Sequence, residues 1–384
     1  MTHRFILNEV SYFGPGARKE LPEVIARLGK HKALVVTDKD LIKFGVAAKV
    51  TDVLDQAGIP YEIFSDVKPN PTVTNVKDGI KAFEQSGADF LIAIGGGSAM
   101  DTCKGIGIVV NNPEFADIVS LEGCAPTKHK SVTMIALPTT AGTAAETTIN
   151  YVIIDEEKKK KMVCVDPNDI PAVAIIDAEL MYSLPKGLTA ATGMDALTHA
   201  IEGYITKGAW SMSDMFEIEA VRMISKNLPI AVFEPNSPEG RDGMAVAQYI
   251  AGMAFSNVGL GLVHGMAHPM GSLFDIPHGV ANALLLPTVM EFNMSACLDK
   301  YPAIAEAMGV NIEGMTKEEA SKAAVEAVRA LAVKVGIPQH LSDLGIKAED
   351  IPALADQALA DVCTPGNPRD VTLDDIKALY TKVL

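Results

Sequence analysis

Of the eight histidines in this 384-residue sequence, four fall between positions 199 and 278: His199, His264, His268 and His278. Asp195 and His199 stand four apart in the helix-period run ATGMDALTHAIEGY, and His264 and His268 repeat that spacing, so each pair projects from one helical face. An imidazole among apolar neighbours needs a carboxylate, a backbone group or a metal as its partner. One carboxylate with three imidazoles suits Zn2+ or Fe2+, and ligand type alone does not separate the two. Asp195, His199, His264 and one of His268 or His278 would complete such a set. The H-E-x-x-H arrangement of a zinc protease is absent, because Gly265 follows His264 and no glutamate lies between the pair. The chemistry left is that of a Lewis acid on a carbonyl or alcohol oxygen, with a separate cofactor carrying the electrons.

A second set of residues points to that cofactor. The apolar run FLIAI leads straight into Gly95-Gly96-Gly97-Ser98, and a helical pattern begins at once. A glycine turn between strand and helix brings backbone N–H groups and a helix N-terminus to a phosphate, although neither G-x-G-x-x-G nor a P-loop pattern is present and a tight turn would look the same. Pro138-Thr139-Thr140-Ala141-Gly142-Thr143 offers hydroxyls for a pyrophosphate or for local backbone caps. Asp38, after the run ALVVT, is placed either to accept the ribose hydroxyls of NAD or to cap the next helix.

These residues require two kinds of scaffold. Up to about residue 185, β-rich runs (33–36, 61–64, 90–94, 133–136, 173–176) alternate with helix-period runs (46–56, 73–85, 100–110), which predicts βαβ units around a mainly parallel sheet. Residues 149–154 and 162–165 flank the polar tip DEEKKKK as a hairpin. Beyond Pro185 the strand signals stop and helical patterns run to the C-terminus (190–204, 213–225, 243–254, 317–335, 350–360). The expected architecture is an α/β dinucleotide-binding, Rossmann-like domain over 1–185 and an all-α, metal-binding and catalytic domain over 186–384. The uncharged stretch 243–274 is long enough for a bilayer, but its histidines, glycines and Pro269 make it an interior helix instead. A net charge of −15 disfavours nucleic acid and anionic lipid. Five scattered cysteines without a C-x-x-C pair, and no signal-like N-terminus, suit a reducing cytoplasm.

At these residues the chain resembles the iron-dependent (group III) alcohol dehydrogenase family along essentially its whole length. The resemblance is carried by Gly95-Gly96-Gly97-Ser98 with Asp101 and Lys104, by Pro138 to Thr143, and by GLVHGMAHPMGSLFDIPHG at 261–279. It implies that Asp195, His199, His264 and His278 hold Fe2+, with Zn2+ the alternative, and that His268 stands beside the metal on a proton path with the nicotinamide ribose. It also implies contacts with NAD from Asp38, Asn70, Gly96, Gly97, Ser98, Thr139, Thr140, Thr143 and Lys161. Asn150, Phe255 and Cys363 are candidates for the substrate pocket. The reaction implied is NAD(H)-linked reduction of a short aldehyde, lactaldehyde to 1,2-propanediol foremost, with 1,3-propanediol or another short-chain primary alcohol as alternatives. A lyase of the dehydroquinate synthase type would use the same metal and NAD without consuming NADH. A homodimer is expected, with the β-run Arg4 to Leu7 available for strand pairing between subunits.

Overall fold

The structure is a computed structural model that describes residues 2–124, 126–158 and 160–384. By its internal contacts the chain divides into two compact units, Met1–Thr140 with Ala144–Ser183, and Ala141–Thr143 with Leu184–Leu384.

The first unit is laid out as β1 (Val10–Phe13), α1 (Leu21–Arg27), β2 (Ala33–Val36), α2 (Ala48–Gln56), β3 (Tyr61–Phe64), α3 (Val73–Ser86), β4 (Phe90–Gly95), α4 (Gly97–Asn111), β5 (Met134–Pro138), β6 (Asn150–Asp155), β7 (Lys160–Val165) and β8 (Val173–Ile176). Six strands form one parallel sheet in the order β1-β8-β5-β4-β2-β3, and β6 and β7 form the expected antiparallel hairpin. The strands are apolar without a break because both faces are buried. Leu34, Val36, Leu91, Ala93, Met134 and Ala136 face one core with α3 and α4, while Ala33, Val35, Ile92, Ile94, Ile135 and Leu137 face the other with α1 and α2. Chain order reverses between β2 and β4, because β2 leads outward to β3 and β4 returns on the other side of β2. In open parallel sheets that reversal opens a crevice at the strands' carboxyl ends, the usual seat of a nucleotide.

Within one chain Arg4 to Leu7 is not part of the sheet; the edge strand is Val10–Phe13, registered on β8 from Val10↔Val173 to Phe13↔Ile176. Val10 and Tyr12 pack on the apolar core and so decide the register.

Among the described residues the second unit holds no strand. Its helices are α5 (Lys186–Ile205), α6 (Ser211–Phe233), α7 (Pro238–Val258), α8 (Leu262–Phe274), α9 (His278–Asn293), α10 (Tyr301–Ala307), α11 (Lys317–Val335), α12 (Ile351–Leu359) and α13 (Leu373–Lys382). The uncharged stretch is thus two helices rather than one. Gly259, at φ 85°, ends α7 in a conformation that excludes a side chain, and α8 leaves at 101°. No single described helix is long and apolar enough to cross a membrane.

Candidate metal centre and nucleotide site

Asp195 and His199 lie one turn apart on α5, as their spacing predicts, and both are buried. His264 lies in the first turn of α8, and His278 opens α9 after a tight turn in which Asp275 takes φ 54°. One ligand atom from each of these four residues lies within 4.8 Å of every other. His268 does not belong to the set: its ring stacks on His278 with centroids 5.4 Å apart, and its Nδ1 is 2.8 Å from Asp361 Oδ2.

The hydrogen bonds around the cluster fit a cation. Glu202, from α5, reaches under the N-terminus of α8, where its Oε1 accepts the Val263 N–H at 2.7 Å and its Oε2 accepts the His264 N–H at 3.2 Å. The same Oε2 is 2.6 Å from His264 Nδ1. With a carboxylate there, Nδ1 is the protonated nitrogen and Nε2 turns its lone pair toward the cluster. Gly261 makes room for this, since a Cβ at that position would stand 3.0 Å from Glu202 Oε1. In the middle of the cluster the Asn282 amide nitrogen is 2.7 Å from Asp195 Oδ1 and 3.1 Å from Nε2 of both His264 and His278. An amide has two hydrogens for these three acceptors, so the site carries a surplus of lone pairs that a divalent ion would satisfy.

Burial also keeps the imidazoles neutral, the form that ligates: it lowers His199 to about 4 and His264 to about 3, against the attraction of Asp195. Burial pushes the Glu202 carboxyl up to about 7, opposed by the backbone N–H groups of Val263 and His264. Phe255, on α7, stacks on His199 with centroids 4.2 Å apart and planes 10° from parallel, which fixes that ring. Cys363 donates its backbone N–H to Asp361 Oδ1 at 2.8 Å and lies with His268 and Asp361 in a second, smaller group.

In the first unit Asp38, Gly96, Gly97, Ser98, Thr139 and Thr140 follow the carboxyl ends of β2, β4 and β5, whereas Asn70 precedes α3 and Asn150 and Lys161 lie in the hairpin. Asp38 follows β2, where its side chain accepts the Leu41 N–H at 2.8 Å; it is therefore a helix cap, whatever else it binds. Gly96 caps α4, with Gly97 and Ser98 in the first turn, and that cap makes no side-chain hydrogen bond to the helix N-terminus. Thr139 donates its backbone N–H to Gly95 O at 2.9 Å, and Thr140 stands where a Cβ on Gly96 would meet its hydroxyl at 3.1 Å. The hydroxyl-rich run therefore lies against the glycine turn. Asn70 takes φ 54° just before α3, and the next residue, Pro71, accepts the Ile154 N–H at 2.8 Å from the hairpin. Lys161 pairs with Ile154 in that hairpin, and its charge acts on Asp101 in α4. Asn150 begins β6 and gives its carbonyl to the buried Lys104 ammonium at 2.8 Å. Thr143 falls instead in the three-residue piece that joins the second unit, where Gly142 fits tightly against Thr192.

Glu202, Asn282 and Asp361 are functional neighbours that sequence reading missed. Two had a signal: Glu202 lies one turn beyond His199, and Asn282 one turn beyond His278, each on the ligand face. Asp361, 93 residues from His268, had none.

The two family models that match the chain are iron-containing alcohol dehydrogenase over residues 8–178 and the C-terminal part of the Fe-containing alcohol dehydrogenase family over 189–384. The chain belongs to the iron-containing alcohol dehydrogenase family. It is 60% identical over 380 residues to lactaldehyde reductase of Escherichia coli K12, covering 99% of each chain. Its fold matches the crystal structure of a 1,3-propanediol oxidoreductase with TM-score 0.97 at 42% identity, over 100% of both chains. It also matches sulfoacetaldehyde reductase from Bifidobacterium kashiwanohense in complex with NAD+, with TM-score 0.88 at 32% identity, over 100% of this chain and 99% of that one. The family makes the chain an NAD-dependent oxidoreductase acting on CH–OH groups, with iron as its metal.

Proposed function

We propose that this enzyme reduces lactaldehyde to 1,2-propanediol with NADH. The observation that carries the reading is the buried cluster of Asp195, His199, His264 and His278, in a chain 60% identical to a lactaldehyde reductase over nearly its full length. These four residues hold the iron, and zinc, which the same donors accept, is the alternative occupant. When bound, the metal supplies a Lewis acid for the carbonyl oxygen and NADH supplies the hydride.

The chain's own residues do the rest. Glu202 fixes His264 with its Nε2 lone pair free to ligate, and Phe255 holds the His199 ring in place. Gly96, Gly97 and Ser98 present the α4 N-terminus to the cofactor's pyrophosphate, with Thr139 and Thr140 beside them. Asp38 accepts the adenosine ribose hydroxyls and repels a 2′-phosphate, which favours NAD over NADP. Lys161, Asn70 and Thr143 supply further contacts to the cofactor. His268 gives the product oxygen its proton, and Phe255 and Cys363 border the substrate in the second unit, with Asn150 a candidate from the hairpin. The partners are small molecules rather than nucleic acid or membrane, the assembly is a homodimer, and the compartment is the cytoplasm.

Protein purified without oxygen should oxidise NADH fastest with lactaldehyde, when compared with 3-hydroxypropanal and propanal by kcat/KM. A clear preference for 3-hydroxypropanal would move the substrate to 1,3-propanediol chemistry, in line with the structural neighbour. NADH left unconsumed with every aldehyde would overturn the reading.

A further inference from the structure

Besides Glu202, a second carboxylate outside the four-residue cluster is aimed at a group the reaction needs. Asp361 follows α12, and only 11% of its side chain is exposed. Both of its oxygens are committed: Oδ1 accepts the Cys363 N–H at 2.8 Å, and Oδ2 lies 2.8 Å from His268 Nδ1. The loop that carries it is pinned, because the Thr364 hydroxyl donates to Ala358 O at 2.6 Å and Gly265 lets that loop close on α8, where a Cβ would stand 2.1 Å from the Thr364 hydroxyl. A carboxylate this fixed accepts a proton bond in one direction only, so the His268 nitrogen facing it is Nδ1–H.

We propose that Asp361 is the positioning residue for His268: it locks the ring and its tautomer so that Nε2 is the nitrogen that exchanges the reaction's proton. The inference rests on the aldehyde reduction proposed above. In that reaction the hydride and its electron pair pass from NADH to the carbonyl carbon, the C=O π pair moves to oxygen, and that oxygen takes the Nε2 proton of the doubly protonated His268 ring, which is left neutral with its Nδ1–H on Asp361. NADH leaves as NAD+, and His268 regains its proton from solvent. The carboxylate makes no bond to substrate; it acts only through the imidazole, as in other carboxylate–histidine pairs.

The test uses the iron-loaded enzyme and the variants Asp361→Asn, Asp361→Ser, His268→Ala and the double variant of His268→Ala with Asp361→Asn. In Asp361→Asn the amide keeps the volume and an oxygen for the Cys363 N–H, but presents N–H to Nδ1 and so inverts the tautomer. Iron content and the directly measured NADH Kd should match the wild type, and kcat should fall about 100-fold with little change in aldehyde KM. The solvent deuterium isotope effect on kcat should rise as proton transfer becomes slower, a change that a structural defect alone does not produce. On the His268→Ala background, Asp361→Asn should cost nothing further. Asp361→Ser serves the same comparison if the amide variant does not fold. Unchanged kcat and isotope effect, an equal loss in the His268→Ala background, or loss of iron from the Asp361 variants would each overturn the assignment. Wild-type enzyme that leaves NADH unconsumed would instead overturn the proposed reaction, before any variant is compared.

Discussion

Replacing Glu202 by Gln should weaken the metal centre without touching a ligand. Glu202 accepts three N–H groups, from the Val263 and His264 backbones and from His264 Nδ1. A glutamine has one oxygen to offer them. If that oxygen faces Val263, the amide N–H points at Nδ1, the imidazole takes the other tautomer, and Nε2 loses the lone pair it turns toward Asp195 and His278. If it faces His264, the Val263 N–H is orphaned at a buried helix N-terminus, at a cost of about 1–3 kcal/mol, and the charge that raises the basicity of His264 is gone. Loss of such a carboxylate partner lowers metal affinity about 10- to 100-fold, equivalent to about 1.4–2.7 kcal/mol. The assay is competition for Fe2+ or Zn2+ against a chromophoric chelator, with circular dichroism confirming the fold. Wild-type metal affinity in a folded Glu202→Gln protein would refute the reasoning.

Three further outcomes follow from the first unit. Asp38→Gly should lower the NADH-to-NADPH ratio of kcat/KM by about 10-fold or more, because a carboxylate facing a 2′-phosphate is removed; an unchanged ratio leaves Asp38 as a helix cap alone. Lys104→Met should destabilise the fold by about 3–5 kcal/mol in chemical denaturation, since its ammonium is fully buried, donates to Thr148 O, Thr148 Oγ1 and Asn150 O, and balances Asp101 and Asp169. A loss below 1 kcal/mol, on the order of an exposed pair, would contradict that. Burial raises the Asp101 carboxyl from 3.8 to about 7, so the fold binds its proton where the unfolded chain has released it. The stability this gives is full below about pH 4 and is lost as pH rises to about 7. The thermal midpoint of Asp101→Asn, relative to wild type, should therefore climb across that window, and a difference that ignores pH would be the contrary result.

Much of this was legible in the sequence because the signals were local. Uninterrupted ALVV and FLIAI declare strands buried on both faces, and the i, i+4 spacing of Asp195 with His199 places both on one side of α5. The glycine turn at 95–97 announced its place between β4 and α4 by chain order alone. Less local facts were hidden. The reversal of strand order that sets Asp38 beside the glycine turn depends on which strands pair, and pairing is decided by packing over distance. The break between α7 and α8 was written in Gly259 and Gly261, but their glycines read equally as loose helix until the 101° bend is seen. The choice of His278 over His268 as fourth member of the cluster depends on the turn at Asp275 and on Asp361, far along the chain, which takes His268 for itself. Spacing had left that choice open, and family resemblance, rather than geometry, had pointed to His278.

The central claim is that Asp195, His199, His264 and His278 together hold the iron on which NADH-linked aldehyde reduction depends. Its most direct test is to strip the enzyme with a chelator under anaerobic conditions, restore Fe2+ in steps, and measure iron per chain against the rate of NADH oxidation, for wild type and His264→Ala. The wild-type rate should vanish with the metal and return in proportion to occupancy, reaching its limit near one iron per chain, while His264→Ala neither retains iron nor recovers. Full activity in metal-free protein, or iron-dependent activity in His264→Ala equal to wild type, would contradict the account.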